Sequence, residues 1–352
     1  MTPEEARGRF PVLEKHAYLN AGSVGPLSRA THRAMADADD LALREGRGGM
    51  ANFEAFGQLR GRVREAVGAL LGVPTDRVVV TTSTTEGCNI VVTGLRLGPD
   101  DEVVTTDAEH PGLEAPVRGC GARVRVANVL GRTPAEALDA IVAEVTPRTR
   151  LVAISHVLFL SGEVLPVAEI RRATGVPLLV DGAQSVGAIP VEAAAADFYT
   201  VSGQKWLCGP ELTGALYVAD PDALRPQMGS YGLMHGTGVE RLGVSHHAAS
   251  AMAGLLTAIE ERPEWAFERG AEMTARCRAA LVEAGLELHT PEGASRLLAF
   301  SPRGDVDLAL LACRKRDIVI RSVPTGWLRV SCGWWTSDED IARLVEAMSP
   351  LR

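Results

Sequence analysis

Short apolar segments alternate with helical segments along the first part of the chain. DEVVTTD, LVAISHV and PLLVDGA are apolar segments with polar ends, and helical stretches such as PAEALDAIVAEV separate them. Strands that are apolar along most of their length belong to sheets covered on both faces. The pattern therefore predicts an α/β fold with a mainly parallel sheet and helices on either side.

The pattern changes near residue 245. Long helical segments precede the short strands RLLAFSP, IVIRSV and WLRVSC, and DEDIARLVEAM forms a closing helix. A chain of 352 residues is long enough for two domains. We predict a large domain over residues 15–245 and a smaller α+β domain formed by residues 1–14 and 246–352.

The composition of the chain argues against several classes of function. A net charge of −8 argues against nucleic-acid binding, which needs a basic face. The six cysteines include no CxxC pair, so we expect neither a metal site nor a disulfide framework. The polar N-terminus lacks the apolar core of a signal peptide, and the apolar runs are too short to span a bilayer. We therefore expect a cytoplasmic protein without a membrane partner.

Two residues that follow neighbouring predicted strands carry the strongest chemical signal. Asp181 follows VPLLV and opens DGAQSVG, and Lys205 follows FYTVSG within VSGQKWLCGP. A lysine can bond covalently to the aldehyde of pyridoxal phosphate (PLP), and a carboxylate can pair with the protonated pyridine nitrogen. The alternative is an ordinary buried aspartate and a surface lysine. Further matching segments favour the PLP site.

The segment TTSTTEGCN lies between a predicted strand and a helix. Backbone N–H groups at a helix N-terminus bind phosphate, and threonine hydroxyls add donors. The same residues could instead form a helix-capping box. Beside the Lys205 segment we favour phosphate binding by Thr84 and Thr85, assisted by Ser202 and Gln204.

Other polar residues follow predicted strands. His110 in TTDAEHPGLEAP could stack on the pyridine ring and carry a proton, or could be a loop histidine in solvent. Gln184 could donate a hydrogen bond to the phenolic oxygen of the cofactor. His156 in AISHVLFLSG ends another strand, where a structural role is as consistent with the sequence as a catalytic one.

Two arginines lie on neighbouring strands of the predicted small domain. Arg321 is in IVIRSV and Arg329 is in WLRVSC. A guanidinium binds a carboxylate through two parallel hydrogen bonds, so the pair could hold an amino-acid substrate. Surface ion pairs are the alternative, although Arg329 sits in an otherwise apolar strand where a buried charge needs a partner.

Together these segments resemble the class V aminotransferase family, over nearly the whole chain and in the same order. The segments are LNAGSVGPL, TTEGCNIV, EHPG, SGEVLPVAEI, DGAQSVG, SGQKWLCGP and LRVSCGWWTSDEDI. The family includes cysteine desulfurases, selenocysteine lyases, isopenicillin N epimerases and cystine C-S lyases. The sequence of these segments is most similar to that of the last group. The resemblance implies a fold-type I PLP-dependent enzyme, with a mainly parallel sheet of the seven-stranded type and a smaller α+β C-terminal domain.

The resemblance also implies residue roles. Lys205 would be the covalent anchor, Asp181 the partner of the pyridine nitrogen, His110 the residue stacked on the ring, and Gln184 the donor to the phenolic oxygen. The remaining roles fall on Thr85, Ser202 and Gln204 for the phosphate, and on Arg321, Arg329 and Asn20 for the substrate.

The sequence departs from the family pattern in four places. Desulfurases carry a nucleophilic cysteine upstream of the last arginine, whereas RSVPTGWLR, from Arg321 to Arg329, contains none. Gln204 replaces the usual histidine, and Phe159 and Leu160 occupy the neighbourhood of a common asparagine. The segment 228–244 is also shorter than in relatives, which puts the substrate-facing loop in question.

The sequence therefore predicts a carbon-sulfur lyase that acts by β-elimination on cystine, cysteine or a cysteine S-conjugate. The products would be pyruvate, ammonia and a thiol, sulfide or persulfide. A desulfurase-like sulfur transferase and an aminotransferase or epimerase remain alternatives, while intact Lys205, Asp181 and Arg329 argue against a non-catalytic scaffold. We also predict a homodimer, because the fold usually completes its site with a neighbouring subunit and the loop 231–243 is polar and glycine-rich.

Overall fold

The computed structural model describes residues 1–228, 230–293 and 295–349. In chain order the strands are β1 (Ala17–Tyr18), β2 (Val78–Thr81), β3 (Glu102–Thr106), β4 (Arg123–Ala127), β5 (Thr149–Ser155), β6 (Leu178–Asp181), β7 (Phe198–Ser202), β8 (Gly214–Val218), β9 (Leu297–Phe300), β10 (Ile318–Val319), β11 (Arg321–Ser322) and β12 (Leu328–Ser331). The α-helices are α1 (Pro3–Arg7), α2 (Arg29–Glu45), α3 (Met50–Leu71), α4 (Thr84–Gly94), α5 (Pro111–Gly119), α6 (Pro134–Glu144), α7 (Val167–Thr174), α8 (Tyr231–His235), α9 (Ala249–Glu260), α10 (Ala266–Glu283), α11 (Val306–Arg314) and α12 (Asp338–Met348).

The central sheet has seven strands in the order β2-β8-β7-β6-β5-β3-β4. Strand β8 pairs antiparallel with β2 and with β7, and the other neighbouring strands pair in parallel. An α-helix lies in each connection from β2 through β6, and the connection from β6 to β7 contains only a short 3₁₀-helix, Ala193–Ala195. The predicted α/β fold with a mainly parallel sheet is confirmed.

Alternate residues of the strands face opposite sides of the sheet. Val103 and Leu179 pack in one apolar cluster with residues of α4 and α5. Val104 and Val180 pack in a second cluster with residues of α3, α6, α7 and α9. Both faces of the sheet are therefore buried, which explains why its strands read as continuous apolar runs in the sequence.

A smaller unit follows the central sheet. Strands β11, β12 and β9 form an antiparallel sheet, and β1 pairs in parallel with β10. The predicted strand IVIRSV is divided into β10 and β11 on either side of Ile320. Helices α10, α11 and α12 cover this unit and share an apolar core with Leu298, Phe300 and Leu328.

The packing of α9 and of the residues around β1 indicates where the two domains divide. Met252 and Leu255 of α9 belong to the core of the central sheet, whereas Ala17 and Leu19 belong to the core of the smaller unit. The predicted boundary at residues 245–246 stays a prediction. These contacts favour a boundary after α9, with β1 counted in the smaller unit.

No helix in the ranges given above is both long and apolar enough to cross a membrane. Within the same ranges, no group of three or more histidine, cysteine, aspartate or glutamate side chains is placed to hold a metal ion.

Candidate active site

The sheet brings several of the predicted residues to one edge. Asp181 is the last residue of β6, Ser202 ends β7, and Lys205 lies three residues further along the chain. His110 caps the N-terminus of α5 just after β3, and Thr84 begins α4 just after β2. Strands β2, β3, β6 and β7 run in the same direction, so these residues meet at the carboxyl edge, where open α/β sheets bind ligands.

Asp181 has one carboxylate oxygen engaged and one available. The side chain is buried, and Oδ1 accepts hydrogen bonds from the Ala183 N–H at 2.9 Å and the Thr200 hydroxyl at 3.4 Å. No donor or cation among the described residues bonds to Oδ2. A protonated pyridine nitrogen is the kind of donor that this free oxygen would accept.

Lys205 is half-buried, and within the described part of the chain its amine has no carboxylate partner. The pKa of Lys205 is lowered to about 8, mainly by burial; Asp181 opposes this shift, and the nearby Arg329 and Arg321 add to it. The backbone here is tightly fixed, because a Cβ on Gly25 would lie 2.1 Å from the Lys205 carbonyl oxygen. A lysine with a depressed pKa in a fixed position suits a covalent anchor and a base.

Of the predicted capping box in TTSTTEGCN the structure contains the Ser83 cap, while phosphate binding stays a prediction. The Ser83 hydroxyl accepts from the Glu86 N–H at 3.1 Å, and the Glu86 carboxylate accepts from the N–H and hydroxyl of Thr82. This capping arrangement does not use the N–H groups of Thr84 and Thr85 in the first turn of α4. Those two donors are available to a phosphate.

The other predicted phosphate ligands offer donors of the right kind. Ser202 is buried at the end of β7. The side-chain oxygen of Gln204 accepts from the Leu212 N–H at 3.1 Å, which leaves its amide N–H groups as donors. The Thr85 hydroxyl faces the start of α5, since a Cβ on Gly112 would lie 2.5 Å from it.

His110 is held in one orientation and one tautomer. Its Nδ1 accepts from the Gly112 N–H at 3.0 Å, so the neutral ring carries its proton on Nε2. The ring contacts Phe159 edge to face, with centroids 5.1 Å apart. Burial and the Lys205 charge lower the pKa of His110, which favours the neutral form that can stack on an aromatic ring.

Gln184 and His156 are both engaged with the protein. The Gln184 amide donates to the Gly22 carbonyl at 2.8 Å and accepts from the Trp206 indole N–H at 3.0 Å, which leaves one N–H for the predicted phenolic oxygen. His156 bonds through Nδ1 to the Tyr199 hydroxyl at 2.6 Å, and burial lowers its pKa to about 4. These contacts favour the structural interpretation of His156.

The two arginines face each other across β11 and β12, where Arg321 and Arg329 are direct partners. Arg329 is 1% exposed and donates through Nη1 to the Phe159 carbonyl at 2.7 Å, but its Nε and Nη2 have no partner among the described residues. Burial, together with Arg321, lowers the pKa of Arg329 to about 9. A buried guanidinium with unused donors is built for a carboxylate.

Asn20 joins the same network through Ser23. The Ser23 hydroxyl donates to Asn20 Oδ1 at 2.9 Å and accepts from Arg321 Nη1 at 3.3 Å. Ser23, the Phe159 carbonyl and the buried Glu109 are parts of this region that the sequence did not reveal. Only Glu109 had a signal in the sequence, its position beside His110.

Five of the six cysteines are buried in apolar clusters. Cys332 is fully buried in the core of the smaller unit, and Cys88 is fully buried in α4 against the central sheet. Cys208 is also buried, and burial raises the pKa of its thiol strongly. These three thiols are therefore poorly placed and poorly ionised for attack on a substrate sulfur.

Among the described residues, a free carboxylate oxygen, a lysine of depressed pKa, unused donors at a helix N-terminus and a buried arginine without a carboxylate partner together fit PLP and an amino acid. The fold and this site define a fold-type I PLP-dependent enzyme. Residues 43–276 match the family described as Aminotransferase class-V. The chain belongs to this family, and its predicted family, fold class, enzyme type and cofactor are confirmed.

Relatives of several activities are similar to the chain. The isopenicillin N epimerase of Streptomyces clavuligerus is 29% identical, with 99% of this chain and 98% of that protein aligned. A probable cysteine desulfurase of Methanothermobacter thermautotrophicus is 34% identical over 62% of this chain and 56% of that protein.

Among solved structures, the cystine C-S lyase C-DES in complex with its reaction product cysteine persulfide has a TM-score of 0.90 and 25% identity, covering 97% of this chain and 99% of that one. A C-DES lysine-to-alanine mutant, with glycine covalently linked to the PLP cofactor, has the same TM-score and identity. The roles of individual site residues here remain predictions.

Proposed function

We propose that this enzyme cleaves the carbon-sulfur bond of cystine, cysteine or a cysteine S-conjugate by β-elimination. The products are pyruvate, ammonia and a thiol, sulfide or persulfide. One observation carries the proposal: Lys205 lies near Arg321 and Arg329, two nitrogens of Arg329 have no partner among the described residues, and the segment from Arg321 to Arg329 contains no cysteine. The similarity to C-DES along the chain supports it.

Arg329 and Arg321 bind the substrate carboxylate and fix the orientation of the amino acid. Arg329 supplies Nη2 and Nε, which have no other partner within the described ranges. Charge-assisted hydrogen bonds of this kind are strong when they are shielded from water, as they are at a residue 1% exposed. Asn20 and Ser23 hold the Arg321 side of this clamp through their hydrogen bonds.

The cofactor phosphate would be held by Thr84, Thr85, Ser202 and Gln204, and Asp181 would pair with the protonated pyridine nitrogen. His110 would cover the ring in its neutral form, and the remaining N–H of Gln184 would be available to the phenolic oxygen. When bound, PLP supplies an electron sink that stabilises negative charge at the substrate α-carbon.

Lys205 would anchor the cofactor, and its Nζ would take the α-proton of the substrate. A pKa of about 8 leaves a substantial fraction of the amine neutral near physiological pH, as a base requires. No thiol attacks the substrate sulfur, so the sulfur leaves with the electron pair of the Cβ–S bond. A persulfide leaves more readily than a thiolate because its conjugate acid is stronger, which favours cystine as substrate.

Epimerisation is the second candidate, because the isopenicillin N epimerase aligns with 99% of this chain. An epimerase needs the same lysine, aspartate and arginines but returns the α-proton to the opposite face. It leaves the sulfur in place and forms a D-isomer. An aminotransferase differs again, since it yields a keto acid and retains the nitrogen on the cofactor.

A substrate panel tests the proposal. The PLP-loaded enzyme is incubated with cystine, cysteine and several cysteine S-conjugates, and pyruvate, ammonia, sulfane sulfur and D-amino acids are measured. We expect equal amounts of pyruvate and ammonia from at least one of them. Alanine with bound sulfur indicates a desulfurase, and a D-isomer without pyruvate indicates an epimerase; either result rejects the lyase.

A homodimer in the cytoplasm remains part of the proposal. Tyr231 and Met234 in α8 are 72% and 79% exposed, and Met50 and Leu212 are 72% exposed. Such large apolar side chains on the surface suit an interface with a second copy. Light scattering at micromolar concentration tests the dimer, and a monomeric mass with full activity contradicts it.

A further inference from the structure

Glu109 is a buried carboxylate that the proposed mechanism does not use. It is 6% exposed and accepts hydrogen bonds from the hydroxyls of Thr106 and Ser155, both at 2.6 Å. The Ser155 N–H also donates to it, at 3.1 Å and 3.0 Å to the two oxygens. No lysine, arginine or histidine of the described residues forms an ion pair with it.

The position of Glu109 links both sides of the proposed ring site. Glu109 directly precedes His110, and its bonds to Ser155 tie the His110 loop to the end of β5. Ser155 is in turn the strand partner of Asp181 in β6. The Glu109 carboxylate therefore connects His110, which is proposed to cover the ring, to strand β5. That strand lies beside Asp181, which is proposed to pair with the ring nitrogen.

The groups around Glu109 leave its charge uncompensated. Its donors come from β3 and β5, and the titratable groups that interact with it are Asp181 of β6 and Cys88 of α4, both acidic. Burial raises the pKa of Glu109 to about 7; the donors oppose this shift and Asp181 adds to it. A carboxylate surrounded by donors is arranged for its ionised form, and a positive charge nearby would favour that form.

We propose that Glu109 is a positioning residue of the cofactor site, which holds the His110 loop in place and adds a second buried negative charge that favours the protonated pyridine nitrogen at Asp181. The inference rests on the proposed placement of the ring and not on the choice of substrate. The Glu109 carboxylate would then have two effects on cofactor binding. Its placement of the loop affects the binding of any ring, whereas its charge affects only a ring whose nitrogen carries a proton.

Binding of two cofactor analogues to the full-length apoenzyme separates these effects. Pyridoxamine phosphate binds without a covalent bond to Lys205, and a carbocyclic analogue replaces its ring nitrogen by CH. Dissociation constants are measured at pH 8, where a carboxyl group with a pKa of about 7 is ionised. The wild-type protein should prefer the nitrogen-containing ring, and Glu109→Gln should reduce that preference about tenfold, the equivalent of one pKa unit.

Two further variants serve as controls. Glu109→Asp keeps the charge and should keep most of the preference, even if both analogues bind more weakly. Glu102→Gln alters another buried glutamate at the opposite end of β3, bonded to Arg148 and Thr146, and should leave the preference unchanged.

The outcomes are distinct. If Glu109→Gln weakens both analogues by the same factor, Glu109 has only a structural role and the inference is wrong. If the wild-type protein shows no preference, the placement of the ring nitrogen at Asp181 fails, and the inference fails with it. A preference that is retained in Glu109→Gln rejects the inference but leaves the proposed site intact.

Discussion

Replacing Arg329 by methionine should lower the enzyme's activity without lowering the stability of the fold. Arg329 is 1% exposed, two of its nitrogens have no partner in the described ranges, and burial lowers its pKa to about 9. The folded protein therefore bears a free-energy cost for keeping this side chain charged at neutral pH. An arginine kept for the fold would instead be paired with a carboxylate.

The expected change in the free energy of unfolding follows from these contacts. Replacing even a complete buried ion pair by well-packed apolar residues is often neutral or stabilising by roughly 1 to 4 kcal/mol, and an arginine without a carboxylate partner has no such attraction to lose. Loss of the Nη1 bond to the Phe159 carbonyl offsets about 1 to 2 kcal/mol of that gain. We therefore expect the free energy of unfolding of Arg329→Met to be unchanged or higher.

Activity should change in the opposite direction. Truncating one partner of a buried charged pair costs about 2 to 5 kcal/mol of binding. Since each 1.4 kcal/mol is a factor of ten, kcat/KM should fall roughly 30- to 4,000-fold. The loss should affect every α-amino acid substrate, because the carboxylate is common to all of them.

The assay combines chemical denaturation with steady-state kinetics. Arg7→Met is the matched control, because Arg7 is paired with the buried Asp340 at 2.6 Å. That variant should lose about 2 kcal/mol or more of stability with little change in kcat/KM. The reasoning is refuted if Arg329→Met loses as much stability as Arg7→Met, or if its kcat/KM stays within a few-fold of the wild-type value.

The other predictions concern the lysine and the cysteines. Lys205→Ala should fold but lose all turnover, and borohydride should no longer fix the cofactor to the protein; covalent labelling of the variant would reassign the anchor. With Lys205 as the base, kcat should rise with pH up to about pH 8, because the pKa of this amine is lowered to about 8 and only its neutral form accepts a proton; a kcat that is constant from pH 6 to pH 9 argues against this role. Each of the six Cys→Ser variants should keep its activity, and one PLP-loaded variant with abolished sulfur release would favour a desulfurase.

The sequence predicted the central sheet because both faces of its strands are buried. Val103, Val104, Leu179 and Val180 show this directly, since successive residues pack in opposite apolar clusters. The position of Asp181 at a strand end follows from the same pattern. The small unit was harder to predict, because IVIRSV divides at Ile320 between two sheets with different partners.

The details of the site depend on contacts between distant segments. Arg329 donates to the Phe159 carbonyl and Arg321 to the Ser23 hydroxyl, and neither partner has a local sequence signal. A backbone carbonyl can be supplied by any residue type, so no residue pattern identifies it. Glu109 was missed because its role depends on Ser155, which reaches it only through the pairing of strands.

Turnover of cystine in D₂O tests the central claim most directly. β-Elimination predicts pyruvate with deuterium in its methyl group, together with equal amounts of ammonia and cysteine persulfide, as measured by NMR and mass spectrometry. Two results would contradict the lyase mechanism. One is recovered cystine that carries deuterium at an α-carbon of inverted configuration, and the other is alanine formed without pyruvate.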